Sequence, residues 1–409
     1  MFSLRINGGM KMTAIFNNVL YKIISFFLSI AMLFGYTGDG MKEDSSQWNT
    51  NYKYVFVHGL SGWGSYDDAY KVMPYWGMFG GDLMEYLNNK GFECYAASVS
   101  PTSSAWDRAC ELYAQLTGTV VDYGKAHSEK YNHERYGADY TGRALIDSFS
   151  SEDKINLLGH SFGGATVRLF ASIMEKGVAE EIAATPEEEL SEFFKGGKGD
   201  WIYSVTTLAA PHNGTTAYMV DKEDMPENNS AFAGITDDIQ YALSNLIRVS
   251  TGGEDDGRSK EDFASFDMYI DNALAMNKDI LTLENTYYFS YACSATVQNE
   301  DGTYSPVSGK VESLFVASSK AMGAYTGVTE GGYVVDETWQ ENDGLVNTVS
   351  ALVPSDAPYK DYDAENVEKG IWNVMPVYDG DHMSLQGGLL KTNEVKCFYV
   401  DLLSMINSL

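Results

Sequence analysis

The chain has 409 residues, 44% of them apolar, and its 57 acidic and 28 basic side chains give a formal charge of −29. This composition is that of a globular protein with ample core material, and it excludes a disordered chain. The negative charge repels phosphate backbones, so nucleic acid is not an expected partner.

The first 38 residues contain three cations, no acid and an apolar run at positions 23–34 that only two serines interrupt. This order of charge and apolar run is typical of an export signal. The run is shorter than the ~20 residues of a membrane-spanning helix. The sequence therefore predicts a secreted protein with a signal peptide at 1–38, with retention as an N-terminal anchor as the alternative, and a polar linker at 39–52.

From residue 53 to 409 the chain alternates short β-rich runs with helical patterns. The predicted strands are Tyr54–Val57, Glu93–Val99, Lys154–Leu158, Tyr203–Ala209 and Tyr287–Ala292. Helical patterns fall at about 80–90, 106–122 and 164–176, and a last amphipathic helix places Val395, Phe398, Leu402 and Ile406 on one face. This alternation predicts an α/β fold with a mostly parallel central sheet flanked by helices.

Two segments are interpreted as insertions into this sheet, at 107–145 and 217–265. In the second, Phe232, Ile235, Ile239, Leu243, Leu246 and Ile247 recur at helical spacing. Acidic turns flank this pattern, which favours a hinged lid over a lipid-binding cleft. An ordinary surface helix packed on the core is the alternative.

The strongest motif is Gly159-His160-Ser161-Phe162-Gly163, which lies between a predicted buried strand and a predicted helix. This is the G-x-S-x-G pattern in the strand-turn-helix context that a nucleophilic serine requires. The turn is so tight that the residues two before and two after the serine must lack a Cβ. Ser161 is therefore the predicted nucleophile.

Acyl transfer needs backbone N–H donors for the oxyanion, one after the nucleophile and one from a loop after an early strand. Phe162 supplies the first. The glycine-rich loop that begins with His58-Gly59-Leu60 directly follows the strand Tyr54–Val57, so Leu60 is the predicted second donor.

In this fold the chain order is serine, acid, histidine, and only His212 and His382 follow Ser161. His212 comes before an acid could appear, so His382 is the predicted base. Asp343, followed by a glycine that permits a turn, is the predicted acid. Asp379 and Asp381 are competitors, but a carboxylate so close in sequence rarely reaches the neighbouring ring, and Asp381 is expected to make a local turn bond.

These residues resemble the secreted, zinc-containing thermoalkalophilic lipases of bacilli, with staphylococcal lipases as cousins. The resemblance is carried by Val57–Gly64, Trp106–Glu111, Gly159–Gly164, Thr206–Thr216, Glu341–Ser350 and Gly370–Asn373. It implies an α/β-hydrolase fold and triad residues at Ser161, Asp343 and His382. The sequence departs from the family in having Phe162 after the nucleophile and a shorter, more polar lid, which favours shorter acyl chains.

A metal site is also predicted. Asp107, His127 and His133 cluster in the first insertion, and mixed carboxylate and imidazole ligands suit a tetrahedral structural zinc. The resemblance implies Asp267 as the fourth ligand. Some relatives hold calcium through an acid two positions after the catalytic histidine, but Ser384 stands there, so calcium is not predicted.

The expected function is hydrolysis of carboxyl esters of acylglycerols through an acyl-enzyme, with a lipid ester as the partner at a lipid–water interface. The alternatives are a short-chain carboxylesterase, an acyltransferase, or a surface lipid-binding protein without turnover. The sequence leaves the oligomeric state open.

Overall fold

The computed structural model describes residues 51–220, 257–391 and 394–409. The predicted signal segment at 1–38, most of the predicted linker and all six apolar positions of the predicted lid helix lie outside these ranges. Within them, no helix combines the length and apolar character needed to cross a membrane.

A seven-stranded sheet forms the centre of the molecule, and smaller two-stranded ribbons lie around it. The strands in chain order are β1 Lys53–Val57, β2 Cys94–Ala97, β3 Val120–Asp122, β4 Tyr136–Asp139, β5 Ile155–His160, β6 Ile202–Leu208, β7 Tyr287–Tyr291, β8 Cys293–Ser294, β9 Thr296–Gln298, β10 Tyr304–Pro306, β11 Gly327–Val328, β12 Val334–Val335, β13 Tyr359–Asp361, β14 Trp372–Val374 and β15 Tyr378–Asp379.

The central sheet has the order β13-β14-β7-β6-β5-β1-β2, and every pairing within it is parallel. All five predicted strands are present in it, each within two residues of its expected ends. The predicted α/β class with a mostly parallel sheet is therefore confirmed.

The strand residues pack alternately on the two faces of the sheet, because successive side chains in a strand point to opposite sides. Tyr54 and Phe56 of β1 pack on one face, together with the last helix of the chain. Val55 and Val57 pack on the other face. Helices cover both faces, so the central strands β1, β5, β6 and β7 are buried, whereas the edge strand β13 is largely exposed.

The α-helices are Asp68–Val72, Leu83–Asn89, Ala105–Thr117, Lys125–Tyr131, Gly163–Lys176, Ala179–Ala184, Ala264–Asp267, Ile270–Asn277, Val316–Ala324, Thr348–Leu352 and Glu394–Asn407. Short 3₁₀ turns lie at Met78–Gly80, Gly199–Trp201, Thr216–Tyr218, Lys260–Asp262, Ser313–Phe315 and Glu337–Trp339.

The predicted helix at 106–122 is shorter in the structure. It ends at Thr117 because Gly118 adopts a left-handed conformation with φ of 66°. The chain then enters β3, which pairs with β4 in an antiparallel ribbon. The predicted insertion at 107–145 thus begins inside the helix Ala105–Thr117, whose apolar residues belong to the core under the sheet.

Candidate active site

Ser161 lies on the turn between β5 and the helix Gly163–Lys176, with a left-handed φ of 53°. The two flanking glycines are required by contact with backbone. A Cβ on Gly159 would lie 2.4 Å from the carbonyl oxygen of Gly163, and one on Gly163 would lie 2.2 Å from that of Val57. The strained turn therefore presents the serine alone at the carboxyl end of the sheet.

The structure brings Ser161, His382 and Asp343 together. His382 Nε2 lies 2.9 Å from Ser161 Oγ, and His382 Nδ1 lies 2.9 Å from Asp343 Oδ2. All three residues are buried, with exposed fractions of 8%, 3% and 0% respectively. This is the geometry in which an imidazole takes the serine proton while a carboxylate holds the ring.

Asp343 is fixed by its own turn. Its Oδ1 accepts hydrogen bonds from the backbone N–H groups of Leu345 at 3.0 Å and Val346 at 2.7 Å, which leaves Oδ2 for the histidine. Gly344 makes this turn possible with a φ of 104°.

The competing carboxylates have other partners. Asp379 forms an ion pair with Lys310 at the surface. Asp381 accepts hydrogen bonds from the hydroxyl of Ser384 at 2.8 Å and from the backbone N–H of Glu312 at 2.8 Å.

The proposed oxyanion donors flank the serine. Gly59, which precedes Leu60, lies so close that a Cβ on it would be 3.2 Å from Ser161 Oγ. Phe162 directly follows the serine at the start of the helix Gly163–Lys176, where N–H groups carry partial positive charge. Within the described ranges, the N–H groups of Leu60 and Phe162 form no hydrogen bond and thus remain able to donate.

The buried guanidinium of Arg108, which the sequence analysis did not identify, contacts the segments that carry both proposed donors. Arg108 donates to the carbonyl oxygens of His58 and Gly59 and lies 5.1 Å from the centre of the Phe162 ring. Burial lowers the pKa of Arg108 to about 10, so it stays charged at neutral pH. The Phe162 ring is itself fully buried. One cation therefore supports the backbone segments of both donors.

A second group of chemical interest lies beside the helix Ala105–Thr117. Ligand atoms of Asp107, His127, His133 and Asp262 all lie within 4.8 Å of one another. His127 Nε2 is 3.2 Å from Asp107 Oδ1 and 3.2 Å from Asp262 Oδ1, and His133 Nε2 is 3.4 Å from Asp262 Oδ2. Ligands of a tetrahedral zinc ion are about 3.3 Å apart. This group could hold a metal ion.

The hydrogen bonds around this group support that interpretation. Asp107 Oδ1, Asp262 Oδ2 and His133 Nε2 are buried atoms without a hydrogen-bond partner. The other ring nitrogen of His133 donates to the carbonyl oxygen of Glu134 at 2.9 Å, so Nε2 presents a lone pair to the group. Three unsatisfied buried acceptors facing one point are costly unless a cation fills it.

The structure places Asp262 in this group, where the sequence analysis expected Asp267. Asp267 accepts a hydrogen bond of 2.7 Å from the backbone N–H of Ala105, at the start of the helix Ala105–Thr117. Burial and the neighbouring carboxylates raise the pKa of Asp267 to about 7. Asp262 ends a 3₁₀ turn five residues earlier and faces the histidines.

No local feature of the sequence separates these two acids, because they are five residues apart at the end of the predicted insertion and each adjoins a phenylalanine. Arg258, which lies 3.5 Å from Asp107 Oδ2, was also missed. Only the path of the chain through residues 258–267 decides which carboxylate reaches the histidines.

Comparison with known proteins fits this geometry. The family described as "Lipase-like, C-terminal domain" matches residues 50–247 and 254–404, which is most of the chain. The chain belongs to this lipase family. The matched segments include the turns of Ser161 and Asp343 and the loop of His382.

Curated relatives of this lipase-family chain include staphylococcal lipases. It is 34% identical to a lipase of Staphylococcus hyicus over 361 residues, which cover 82% of the chain and 53% of the relative. It is 32% identical to lipase 2 of Staphylococcus aureus over 379 residues, covering 85% of the chain and 52% of the relative. The chain thus spans about half the length of these relatives.

Solved structures with the same fold include EstA from Clostridium botulinum, at 32% identity and a TM-score of 0.75, with 90% of each chain covered. The Staphylococcus hyicus lipase structure matches at 29% identity and a TM-score of 0.71, covering 90% of this chain and 99% of the other. The predicted relation to staphylococcal lipases is confirmed.

Proposed function

We propose that this chain hydrolyses carboxyl esters of acylglycerols through a covalent acyl-enzyme. The observation that carries the proposal is the continuous line of hydrogen-bond distances, 2.9 Å and 2.9 Å, from Ser161 through His382 to Asp343. Relatives named lipases, matched over more than four-fifths of the chain, support the same reaction.

In the first half-reaction His382 Nε2 takes the proton of Ser161 as Oγ attacks the ester carbonyl carbon. The proton turns the ring into an imidazolium, which Asp343 stabilises across the 2.9 Å contact with Nδ1. Negative charge develops on the former carbonyl oxygen, where the N–H groups of Leu60 and Phe162 bind it. When the intermediate collapses, His382 protonates the departing alcohol oxygen.

In the second half-reaction a water molecule takes the place of the alcohol. His382 accepts a proton from this water as it attacks the acyl carbon, and the same two N–H groups bind the second oxyanion. Collapse of that intermediate returns the proton to Ser161 Oγ and releases the fatty acid.

The test is a series of nitrophenyl esters from acetate to palmitate, together with emulsified triglyceride, assayed with the wild type and Ser161→Ala. Turnover of long-chain esters and of the emulsion supports the lipase proposal. Turnover confined to short soluble esters would assign a carboxylesterase, and transfer to added alcohol in preference to water would assign an acyltransferase.

A fluorophosphonate probe separates an enzyme from a lipid-binding protein. The wild type should be labelled on Ser161, and Ser161→Ala should not. An unlabelled, folded wild type would contradict the enzyme proposal.

We propose further that Asp107, His127, His133 and Asp262 hold a zinc ion. Two imidazole nitrogens and two carboxylate oxygens are donors that Zn²⁺ accepts in tetrahedral sites. Four protein ligands leave no position for a reactive water, so the ion would serve as a structural cross-link. It would tie the helix Ala105–Thr117 and the helix Lys125–Tyr131 to the turn Lys260–Asp262.

We also propose that the protein is exported, and this rests on residues 1–38. The three cations before the apolar run at 23–34 support it. Fractionation of cells that express the full chain tests this proposal. Esterase activity in the medium or at the cell surface would support export, and activity confined to the cytosolic fraction would contradict it.

A further inference from the structure

Two buried side chains join the loop of one oxyanion donor to the loop of the catalytic base. The backbone N–H of Gly59 donates to the Tyr75 hydroxyl at 3.1 Å, and this hydroxyl lies 2.7 Å from His160 Nδ1. On the other side of the ring, His160 Nε2 lies 2.8 Å from the carbonyl oxygen of His382. Tyr75 and His160 have exposed fractions of 5% and 1%.

The hydrogen positions in this series follow from its ends. The carbonyl oxygen of His382 can only accept, so the proton of His160 is on Nε2 and Nδ1 accepts. The Tyr75 hydroxyl therefore donates to Nδ1, and its lone pair accepts the N–H of Gly59. Burial and the neighbouring His382 lower the pKa of His160 to about 3, which keeps the ring in the neutral form that this arrangement needs.

This series of hydrogen bonds begins at Gly59 and ends at His382. The proposed reaction requires a constant distance between the two loops that contain these residues. Gly59 immediately precedes Leu60, whose N–H is the proposed donor for the oxyanion. His382 is the base, and its backbone is held on the other side by donation of its N–H to the carbonyl oxygen of Asp343 at 2.8 Å. Ser161 lies between them, in contact with Gly59 and covalently next to His160.

The packing around Tyr75 leaves its ring little freedom. Trp63 packs edge-on at 5.6 Å and Trp76 at 5.3 Å between ring centres. The packing therefore holds the Tyr75 hydroxyl in one position between Gly59 and His160, and this hydroxyl in turn fixes the positions of the two loops that it connects.

We propose that Tyr75 and His160 are positioning residues that set the distance between the oxyanion donor Leu60 and the base His382. The inference rests on the proposed ester hydrolysis and adds two residues that touch neither substrate nor the transferred proton. Their effect is on the transition state, because the oxyanion forms only after His382 has taken the serine proton.

The test uses Tyr75→Phe, His160→Leu and the double variant of the full chain, with a soluble nitrophenyl ester as substrate. Tyr75→Phe removes the shared hydroxyl. His160→Leu removes both ring nitrogens, and with them the contacts to Tyr75 and to the carbonyl of His382. Each single variant should lower kcat about 10- to 100-fold, the effect of misplacing a catalytic group by about 1 Å, with KM changed less than about twofold.

Because the two single variants break the same link, the double variant should lose no more activity than the worse single variant. A trifluoromethyl ketone that forms a hemiketal with Ser161 should lose affinity by the same factor as kcat. Tyr54→Phe is the matched control, since the buried hydroxyl of Tyr54 donates at 3.0 Å to the carbonyl oxygen of Leu403 in the last helix, and not to the loops of Leu60 or His382. It should leave kcat unchanged.

The outcomes distinguish failure of the positioning role from failure of the proposed ester hydrolysis. A wild type that hydrolyses esters, with Tyr75→Phe retaining full kcat, would overturn the inference and leave the proposed function standing. Effects that multiply in the double variant, or that appear in KM alone, would also overturn it. Absence of hydrolysis by the folded wild type would overturn both.

Discussion

At the scale of single residues, the orientation of the catalytic histidine depends on one carboxylate. Asp343→Asn would place an amide N–H group opposite His382 Nδ1 and force the ring into the tautomer that cannot accept the serine proton. We expect kcat to fall by a factor on the order of 10⁴ with the fold intact. Asp379→Asn, which removes only a surface ion pair, is the control and should retain full activity in the same ester assay.

Asp262 and Asp267 give a residue-scale test of the proposed metal site. Asp262→Asn should weaken zinc binding by at least about 100-fold, because it removes a ligand. Asp267→Asn should retain the metal, since Asp267 faces the backbone of Ala105. Competition with a chromogenic chelator measures both affinities, and greater loss in Asp267→Asn would reverse the assignment.

A buried pair of acids beside the base gives a pH prediction. Burial and the charge of Asp381 raise the pKa of Glu312 well above its ordinary 4.5. The native state then holds a proton that the unfolded chain has lost, so stability falls as the pH rises from about 4.5 through the raised pKa. Glu312→Gln removes this loss while keeping an oxygen for the N–H of Leu389.

We therefore expect the Tm of Glu312→Gln relative to the wild type to rise by at least about 2 °C between about pH 5 and about pH 8. Glu337→Gln, at an exposed position, should show no such trend in the same thermal melts. A Tm difference between Glu312→Gln and the wild type that decreases as the pH rises would contradict this prediction.

At the scale of elements, the turn at Ser161 depends on close contact between the start of the helix Gly163–Lys176 and strand β1. A Cβ on Gly163 would lie 2.2 Å from the carbonyl oxygen of Val57 in β1, and backbone on both sides prevents relief. Gly163→Ala should therefore lower the free energy of unfolding by several kcal/mol, in the range of about 2–4, and abolish activity. Gly142→Ala should cost only about 1 kcal/mol, because Gly142 has a positive φ but open space around it. Urea denaturation of both variants measures the difference.

The elements differ in how far the sequence could define them. Strands β1, β5, β6 and β7 were predictable because each is a run of mostly apolar, aromatic or β-branched residues that is buried on both faces. Strands β13 and β14 were missed because each has only three residues, too few for a periodic pattern. The helix Ala105–Thr117 was predicted too long because the left-handed Gly118 outweighs the apolar residues that follow it.

The residues of the candidate site also differ in how far the sequence could predict them. Ser161, His382 and Asp343 could be predicted because motif, chain order and a small histidine inventory restrict the choice. Arg108 and Tyr75 could not, because a buried arginine or tyrosine has no sequence signature and acquires its role only from the backbone groups around it. Asp267 was expected in place of Asp262 for a similar reason, since only the path of the chain through residues 258–267 shows which carboxylate faces the histidines.

At the scale of the whole molecule, the proposed metal joins segments that are far apart in sequence. Asp107 and Asp262 are separated by 155 positions, and Ser104 donates to Asp262 at 2.7 Å beside them. Removal of the ion would leave two buried carboxylates facing each other, so we expect chelation to lower Tm and to expose the segment around Lys260–Asp262 to proteolysis. Calorimetry with and without chelator, followed by zinc and calcium readdition, measures this, and an unchanged Tm in a protein shown to have lost its metal would argue against a cross-link.

The two ends of the described domain meet. The backbone N–H of Asn51 donates to Asn407 Oδ1 at 2.7 Å, and the Asn51 side chain donates to the Asn407 carbonyl oxygen at 3.2 Å. Strand β1 starts two residues after Asn51 and ends two residues before Gly59, at the opposite edge of the sheet. Asn51 therefore lies near the edge of the sheet opposite to Ser161, so a bead or a carrier protein attached at Asn51 would leave the Ser161 edge facing away from the attachment. A short peptide that joins 407 to 51 would also permit new termini to be opened elsewhere in the domain.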